Sequence, residues 1–320
     1  MLHLRIMAPA TMTDDILALF DDDCAVSGLV VLRGAAIRPA GDLIMAQVAR
    51  EGANLIVQQL RAMRVHQHGS VELEQVDTWL SRKGFEAEVR TPGSSADAVV
   101  WAEVAQRAYD DTELNWTYLS FLTLATVIAS IAIVTDSQIL VVGAMVLGPE
   151  FGPIAALGVA LVRRRFMLLQ LAIRTLVAGF AVAIGITIVL ALIARGLGWI
   201  TLEDVIGPRP GTAFIYTPDK WSFIVAVIAG AAGVLAITSA KSLGLAGVFI
   251  SVTTVPAAGN IALGVVFGNG ATIWGSVAQL FLNVAGMAIA GWLTLLVQQH
   301  LWSRISVRRH RHMAVPRRML

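Results

Sequence analysis

The apolar residues of this chain follow two different patterns along its length. In the first 75 residues they recur in short runs, at every second position as in Leu2–Ala8 or at every third to fourth position as in Glu51–Met63. Alternation predicts half-buried strands, and the wider spacing predicts amphipathic helices. From residue 116 to residue 302 the apolar residues are nearly continuous, in stretches near the roughly 20 residues that a helix needs to cross a bilayer. The pattern therefore predicts a small soluble domain followed by a membrane domain.

The soluble part predicts four strands and two helices. One helix follows Thr13, which together with Asp14 and Asp15 is typical of an N-cap and an acidic first turn, and the second covers Glu51–Met63. The predicted strands are Leu2–Ala8, Ala25–Leu32, Asp42–Arg50 and Gly69–Leu73. This β-α-β-β-α-β order is typical of the ferredoxin-like fold, an α+β unit with two helices on one face of a four-stranded sheet. We assign it to residues 1–75 and expect it to be cytoplasmic.

Two further features lie near the end of this domain. His66 and His68 are two residues apart in a predicted loop, where they are candidates for metal binding or pH sensing, with a merely solvated loop as the alternative. Residues 76–115 are interpreted as a connector that ends in an amphipathic helix over Ala96–Asp111. Trp116 and Tyr118 follow it as predicted anchors at the membrane interface.

Composition supports a membrane protein. The 320 residues are 56% hydrophobic and only 14% charged, whereas soluble domains carry roughly 25% charged residues, and the mean hydropathy is +0.71. We expect no cleavable signal peptide, because the N-terminus lacks a basic region followed by a long apolar core. Cys24 is the only cysteine, so neither a disulfide nor a cysteine-based metal site is expected within one chain. No metal or cofactor is predicted.

Six membrane spans are predicted between residues 116 and 302. They are Trp116–Val134, Ser137–Val162, Phe166–Ala194, Trp221–Ser239, Leu243–Phe267 and Ala271–Trp302. Basic residues cluster between the second and third spans, at Arg163–Arg165, and in residues 303–320, which we interpret as a basic tail. The positive-inside rule then predicts that both termini are cytoplasmic and that the protein lies in the inner (plasma) membrane.

The second span is interrupted in its middle by the sequence Gly148-Pro149-Glu150-Phe151-Gly152-Pro153. Proline removes a backbone donor and clashes with the preceding turn, so two prolines four residues apart disfavour an unbroken helix. Freed backbone groups and a charge are costly in hydrocarbon and persist only where protein or a water-filled cavity satisfies them. We therefore predict a broken helix buried inside a bundle, and a candidate functional site at the break.

The fifth span is interrupted in a similar way, at Thr253, Thr254, Pro256, Gly259 and Asn260. The broken span is second of three in each half, and an odd number of spans inverts the second half relative to the first. Paired broken spans in a 3+3 inverted repeat are typical of a midplane binding site in secondary transporters. The alternative is that both are kinked helices whose small residues allow close packing.

Glu150 is the acidic residue that this interpretation places near the middle of a span. It is a candidate ion or proton site or a partner for a cationic group, and the alternative is a protonated, hydrogen-bonded carboxyl that fixes the helix break. Thr253, Thr254 and Asn260 are candidates to supply uncharged oxygens from the facing half. Gln279 and Asn283, four residues apart on one face of the sixth span, are predicted either to line the same cavity or to hold two helices together. The full set of candidate substrate- or ion-binding residues is Gly148, Pro149, Glu150, Gly152, Pro153, Thr253, Thr254, Pro256, Asn260, Gln279 and Asn283.

One stretch resembles a known family. DSQILVVGAMVLGPEFGPIAALGVAL is similar to the signature of the membrane proteins grouped as domain of unknown function 389, with an Asp-Ser pair, a Gly-Ala-Met run, Pro-x-x-Gly-Pro and a glycine-spaced helix. GDLIMAQVAREGANLIVQQL and Leu245–Pro256 are similar to the same family, so the resemblance covers about residues 40–270. It implies a multi-span membrane protein with a cytoplasmic N-terminal domain, and no settled activity. Glu150 departs from the apolar residue expected there, so a charge-dependent mechanism would belong to a subgroup.

The favoured hypothesis is a transporter or channel for a small solute or ion. The rival hypothesis is a membrane-anchored sensor or regulator whose soluble domain binds a ligand or partner. An enzyme is not expected, because the sequence contains no Walker motif, zinc motif or nucleophile elbow. The expected partners are the lipid bilayer, the transported solute and further copies of the chain in a homo-oligomer, and no nucleic acid.

Overall fold

The computed structural model describes residues 1–21, 23–76, 78–91, 93, 98–215, 220–238 and 252–309, with only the backbone of Phe214 and of residues 301–309. These residues form two compact units. The first comprises Met1–Ala105 together with Thr238 and the described residues from Gln298 onward, and the second comprises the remaining residues from Gln106 to Val297.

A four-stranded antiparallel sheet organises the first unit. The strands β1 (Leu2–Ala8), β2 (Val26–Ile37), β3 (Ala40–Val48) and β4 (Ser70–Gln75) lie in the order β2-β3-β1-β4. Helix α1 (Ala10–Asp21) follows β1, and helix α2 (Ala53–Ala62) follows β3. Alternate strand residues such as Leu4, Ile6 and Ile44 share one buried cluster with Ile16 of α1 and Ile56 of α2. The sequence therefore predicted the order of these strands and helices, and both helices lie over the same sheet face.

Several local predictions in this unit were wrong. Helix α1 begins at Ala10, and Thr13 is buried and donates a hydrogen bond to Asp42 Oδ2 at 2.7 Å, so it does not cap the helix. Strand β2 continues beyond Leu32 because the Gly34 N–H donates to Asp42 Oδ1 at 2.7 Å. His66 and His68 lie in a one-turn helix, α3 (Val65–His68), and not in a loop.

The predicted connector contains two helices. Helix α4 (Arg82–Arg90), which the sequence analysis did not predict, begins where the Ser81 hydroxyl accepts a hydrogen bond from the Gly84 N–H. Helix α5 (Trp101–Asp110) corresponds to the predicted amphipathic helix. It begins at Trp101, so residues 98–100 of the predicted helix are not helical, and residues 96–97 lie outside the described residues.

Eight helices of the second unit are described. They are α6 (Trp116–Val134), α7 (Gln138–Leu147), α8 (Phe151–Arg163), α9 (Phe166–Gly196), α10 (Leu202–Ile206), α11 (Lys220–Thr238), α12 (Thr254–Phe267) and α13 (Gly270–Arg309). Four of them, α6, α9, α11 and α13, are long and apolar enough to cross a bilayer, and α7 with α8 forms a fifth candidate that is bent by 52°. Four to five apolar helices indicate a membrane-embedded protein. Helix α12 has 14 residues, and the first part of its predicted span, residues 243–251, lies outside the described residues, so the count of six stays a prediction.

The two short helices α8 and α12 are the most buried part of this unit. All residues of α8 from Pro153 to Ala160 are buried, and so are all residues of α12 from Thr254 to Gly264. In contrast, the apolar windows of the four long helices are 33–44% buried. The two short helices therefore lie inside the helical unit, where the backbone groups freed at the break between α7 and α8 are not exposed to lipid.

Element bounds in the second unit recur at a shift of 104 residues. The ends of α8 and α12 (163 and 267) and the starts of α9 and α13 (166 and 270) differ by the same number. Both two-residue connections begin with a left-handed residue, Arg164 (φ 52°) and Gly268 (φ 69°). The hydrogen bonds that close α8, Arg165 N–H to Ala160 O, and α12, Asn269 N–H to Gly264 O, are also related by this shift.

Candidate functional site

The break between α7 and α8 is built by local sequence. Helix α7 ends at Gly148, which has an extended backbone (φ −67°, ψ 127°), and Pro149 follows it. Helix α8 begins at Phe151, which makes Pro153 its third residue; Pro256 is likewise the third residue of α12. Proline is tolerated in a first helical turn because those N–H groups lack intrahelical acceptors. The prolines therefore mark where both short helices start.

Glu150 immediately precedes α8 and turns back over the end of α7. A Cβ atom at position 148 would overlap Glu150 Oε2 and would lie 2.7 Å from Cγ2 of Val255. Glycine at position 148 therefore makes room for the carboxyl group. The ten residues of α7 and thirteen of α8 rise about 15 Å and 20 Å at 1.5 Å per residue. Because each is about half of a roughly 30 Å hydrocarbon core, Glu150 lies near half depth if the pair crosses the membrane.

The Glu150 side chain joins the two interrupted segments. Its residue is 7% exposed, and Oε1 accepts a hydrogen bond from the Thr254 hydroxyl at 2.5 Å. Thr254 is the first residue of α12, and it is 1% exposed. None of the described ion pairs involves Glu150.

The polar residues of α12 and α13 continue from this contact. Thr253 Oγ1 accepts hydrogen bonds from Gln279 Nε2 and Asn283 Nδ2, each at 3.1 Å. Asn260 Nδ2 donates to Ser276 Oγ at 2.9 Å. We call the resulting set the buried polar cluster: Glu150, Thr253, Thr254, Asn260, Ser276, Gln279 and Asn283. All its members except Thr253 are buried, with exposures of 0–7%.

Three acceptor oxygens of the buried polar cluster have no hydrogen-bond donor among the residues that the structure describes. They are Glu150 Oε2, Asn260 Oδ1 and Gln279 Oε1. A buried acceptor without a donor costs about 1–3 kcal/mol, and native proteins contain few of them. These three oxygens can each accept a cation, a proton or a hydrogen-bond donor.

The cluster is enclosed by close helix contacts. A Cβ atom at position 259 of α12 would lie 3.0 Å from both the N and the Oγ of Ser130 on α6. A Cβ atom at position 158 of α8 would lie 3.0 Å from the Trp292 backbone N on α13. Both positions need glycine because backbones approach each other here.

Most sequence-predicted site residues are thus brought together. Glu150, Thr253, Thr254, Gln279 and Asn283 form one hydrogen-bonded neighbourhood, and Asn260 lies two turns further along α12. The remaining candidates, Gly148, Pro149, Gly152, Pro153 and Pro256, shape the two helix starts and present no side-chain polar group. Gly152 faces away from Thr254: a Cβ atom there would lie 2.8 Å from Cβ of Asp111.

Sequence reasoning missed two polar residues. Ser276 was passed over because a single serine in an apolar helix is unremarkable, although its position three residues before Gln279 on the same helix was a usable signal. Tyr118 was predicted to be an interfacial anchor, yet it is 6% exposed, and its hydroxyl has no partner among the described residues. Trp116, two residues earlier, is 84% exposed, as an anchor requires.

The fold and this site define a class of protein: a membrane-embedded helical protein with a buried polar cluster where the break between α7 and α8 meets the start of α12. Comparison with known proteins adds a family. The family described as Domain of unknown function (DUF389) matches residues 145–289, so the predicted resemblance to that family is confirmed over these residues. The matched region contains every residue of the buried polar cluster and begins after the four-stranded sheet.

A curated relative matches half of the chain. The chain is 29% identical over 160 residues to the uncharacterized protein MJ0678 of Methanocaldococcus jannaschii, which is 50% of this chain and 47% of that protein. The chain therefore spans about half the length of the curated relative it matches. No solved structure matches this chain.

Proposed function

We propose that this protein is a transporter or channel for a small solute or ion, with its binding site in the buried polar cluster. The observation that carries the proposal is the hydrogen bond between Glu150 and Thr254. It joins the starts of the short helices α8 and α12 in the most buried part of the helical unit, and the same cluster contains three acceptor oxygens without donors among the described residues. A membrane anchor has no need of such an arrangement, because apolar helices alone would suffice.

The 104-residue recurrence supports a two-fold internal repeat. Glu150 and Thr254 lie at the starts of α8 and α12, in places that are equivalent to within one residue, because the ends of these helices differ by 104 positions and their starts and prolines differ by 103. Equivalent residues of two symmetry-related copies touch each other only near the axis that relates the copies. The buried polar cluster would then lie on the pseudo-axis of a 3+3 inverted repeat, which is where transporters of this design bind their substrates.

The soluble unit and the orientation complete the proposal. The strand order β2-β3-β1-β4 with helices after β1 and β3 supports a ferredoxin-like domain. The basic residues Arg163–Arg165 and those after residue 302 support cytoplasmic termini.

A flux assay tests this function. The full chain is reconstituted in proteoliposomes and screened with a panel of inorganic ions and small solutes, in parallel with Glu150→Gln and with the control Glu203→Gln, which removes a carboxylate from an exposed position of α10. We expect wild type and the control to show flux that depends on pH or on a cation. The variant Glu150→Gln should fold normally, but its flux should no longer depend on pH or on the cation. Absence of any flux by folded wild-type protein would favour the sensor hypothesis, and unchanged pH dependence in Glu150→Gln would make that residue structural only.

A further inference from the structure

We propose that the ligand of the buried polar cluster is a monovalent alkali cation, Na⁺ or K⁺, bound by Glu150 Oε2 and Gln279 Oε1 at the start of α12. This inference rests on the proposed function and names its substrate or coupling ion. Three observations carry it: the lone pairs without donors, the arrangement of their residues, and the charge of the site.

The first observation is the kind of atom that lacks a partner. Glu150 Oε2, Gln279 Oε1 and Asn260 Oδ1 are all acceptors, and their residues are 7%, 1% and 0% exposed. A single proton on Oε2 would supply one O–H group and would serve only one of the two amide oxygens. A cation accepts lone pairs from several oxygens at once, so it can bind Glu150 Oε2 and Gln279 Oε1 together and leave the carboxylate charged, while Asn260 Oδ1 lies two turns further along α12.

The second observation is the common anchor of the two principal ligands. Thr253 accepts the Gln279 amide, and the next residue, Thr254, donates to Glu150. Adjacent residues at the first turn of α12 therefore hold the carboxylate and the carboxamide. Asn260 bonds Ser276, which precedes Gln279 by three residues, or one turn, on α13. Its Oδ1 therefore offers a further oxygen in the direction of the loop that joins α12 to α13.

The third observation is charge and ligand type. Glu150 supplies one negative charge, which a monovalent cation neutralises, whereas a divalent cation would leave a buried net positive charge. Calcium and magnesium sites usually draw on several carboxylates or phosphates, and softer metals prefer nitrogen or sulfur ligands. Among the described residues no group of three His, Cys, Asp or Glu side chains could hold a metal ion. Carboxylate, carboxamide and hydroxyl oxygens with a single charge are the ligands of an alkali ion.

The test is cation-dependent stabilisation of the purified full chain. A ligand that binds the folded state raises its melting temperature in a saturable manner. Thermal unfolding is measured in detergent at constant ionic strength while choline is replaced stepwise by Na⁺ or K⁺. We expect one alkali ion to raise the melting temperature saturably, and Glu150→Gln to need at least ten times the concentration. Glu203→Gln should respond as wild type does.

Two results would overturn the inference. One is an identical melting temperature in choline, Na⁺ and K⁺, because the oxygens would then be served by water. The other is an unchanged response in Glu150→Gln, because the ion would then bind elsewhere. If Glu150→Gln does not fold, the shorter Glu150→Asp, which keeps the charge but withdraws the oxygens, must show the weakened response. Saturable stabilisation by an alkali ion without flux in liposomes would support this inference and contradict the transport proposal. Flux of a neutral solute at equal rates in choline, Na⁺ and K⁺ would support the transport proposal and contradict this inference.

Discussion

Thr254 offers a sharp test of the contact between the two interrupted helices. Thr254→Val keeps the shape of the side chain and removes the hydroxyl that donates to Glu150 Oε1. Because Oε2 already lacks a described donor, the carboxyl group would lose the described side-chain partner that ties it to α12. Hydrogen bonds to charged groups contribute about 1.5–3 kcal/mol, and neutral ones about 0.5–1.5 kcal/mol. We expect Thr254→Val to lower the free energy of unfolding by about 1.5–3 kcal/mol.

Thr187→Val is the matched control for this change. Thr187 is 2% exposed, but its hydroxyl donates only to Ala183 O, within its own helix α9. That carbonyl takes part in the backbone hydrogen bonding of helix α9 in any case. We therefore expect Thr187→Val to lower the free energy of unfolding by less than about 1 kcal/mol. Unfolding is measured in mixed micelles by titration with a denaturing detergent. A double-mutant cycle with Glu150→Gln should show that the cost of Thr254→Val shrinks when the carboxylate is absent. Equal costs for both threonines, or a cost of Thr254→Val that is independent of residue 150, would refute the reasoning.

Three further predictions address packing, topology and the soluble unit. Gly230→Ala places a methyl group 2.5 Å from a backbone oxygen of α13 and should destabilise the protein by about 1–3 kcal/mol. Gly185→Ala, which meets nothing within 4 Å, should leave the same unfolding curve unchanged or slightly stabilised. Single cysteines at Asn269 and Arg164, in a cysteine-free background, should react with impermeant reagents from outside and inside respectively; the reverse, or both on one side, would defeat the six-span topology. Hydrogen bonds from a backbone N–H and a hydroxyl lower the pKa of Asp42. The ionised Asp42 carboxylate therefore stabilises the folded state above the unfolded pKa of about 3.9, and this stabilisation is lost as pH falls through the lower folded pKa. Asp42→Asn should reduce the acid destabilisation of the first unit, as followed by its hydrogen exchange, and an unchanged acid profile would contradict this assignment.

Much of the local structure could be predicted because it depends on neighbours in sequence. Helix α6 has the predicted bounds Trp116–Val134, since a long apolar run flanked by polar residues has few other solutions. The break at Gly148–Pro153 follows from proline stereochemistry alone. The misplaced start of α1 has the opposite origin: Thr13 looks like a cap locally, yet its hydroxyl serves Asp42, 29 residues away.

Inside the helical unit, the sequence could not say which faces meet. Lipid and protein interior are equally apolar, so the spacing of apolar residues does not separate a lipid-facing side from a buried one. Tyr118 and Trp116 look alike as aromatic residues at a helix start, but one is buried and the other exposed. The pairing of Asn260 with Ser276 likewise depends on how α12 and α13 are turned toward each other.

The sequence by itself determined that the chain has a mixed α/β soluble part and a membrane part, and that the second and fifth apolar stretches are interrupted by prolines beside polar residues. It determined these features because hydrophobic length, strand alternation and proline geometry act over a few residues. Only the tertiary structure decided that Glu150 meets Thr254, a partner 104 positions away. That contact depends on burying both short helices among the long ones, where exposed backbone and charge find partners that lipid does not provide.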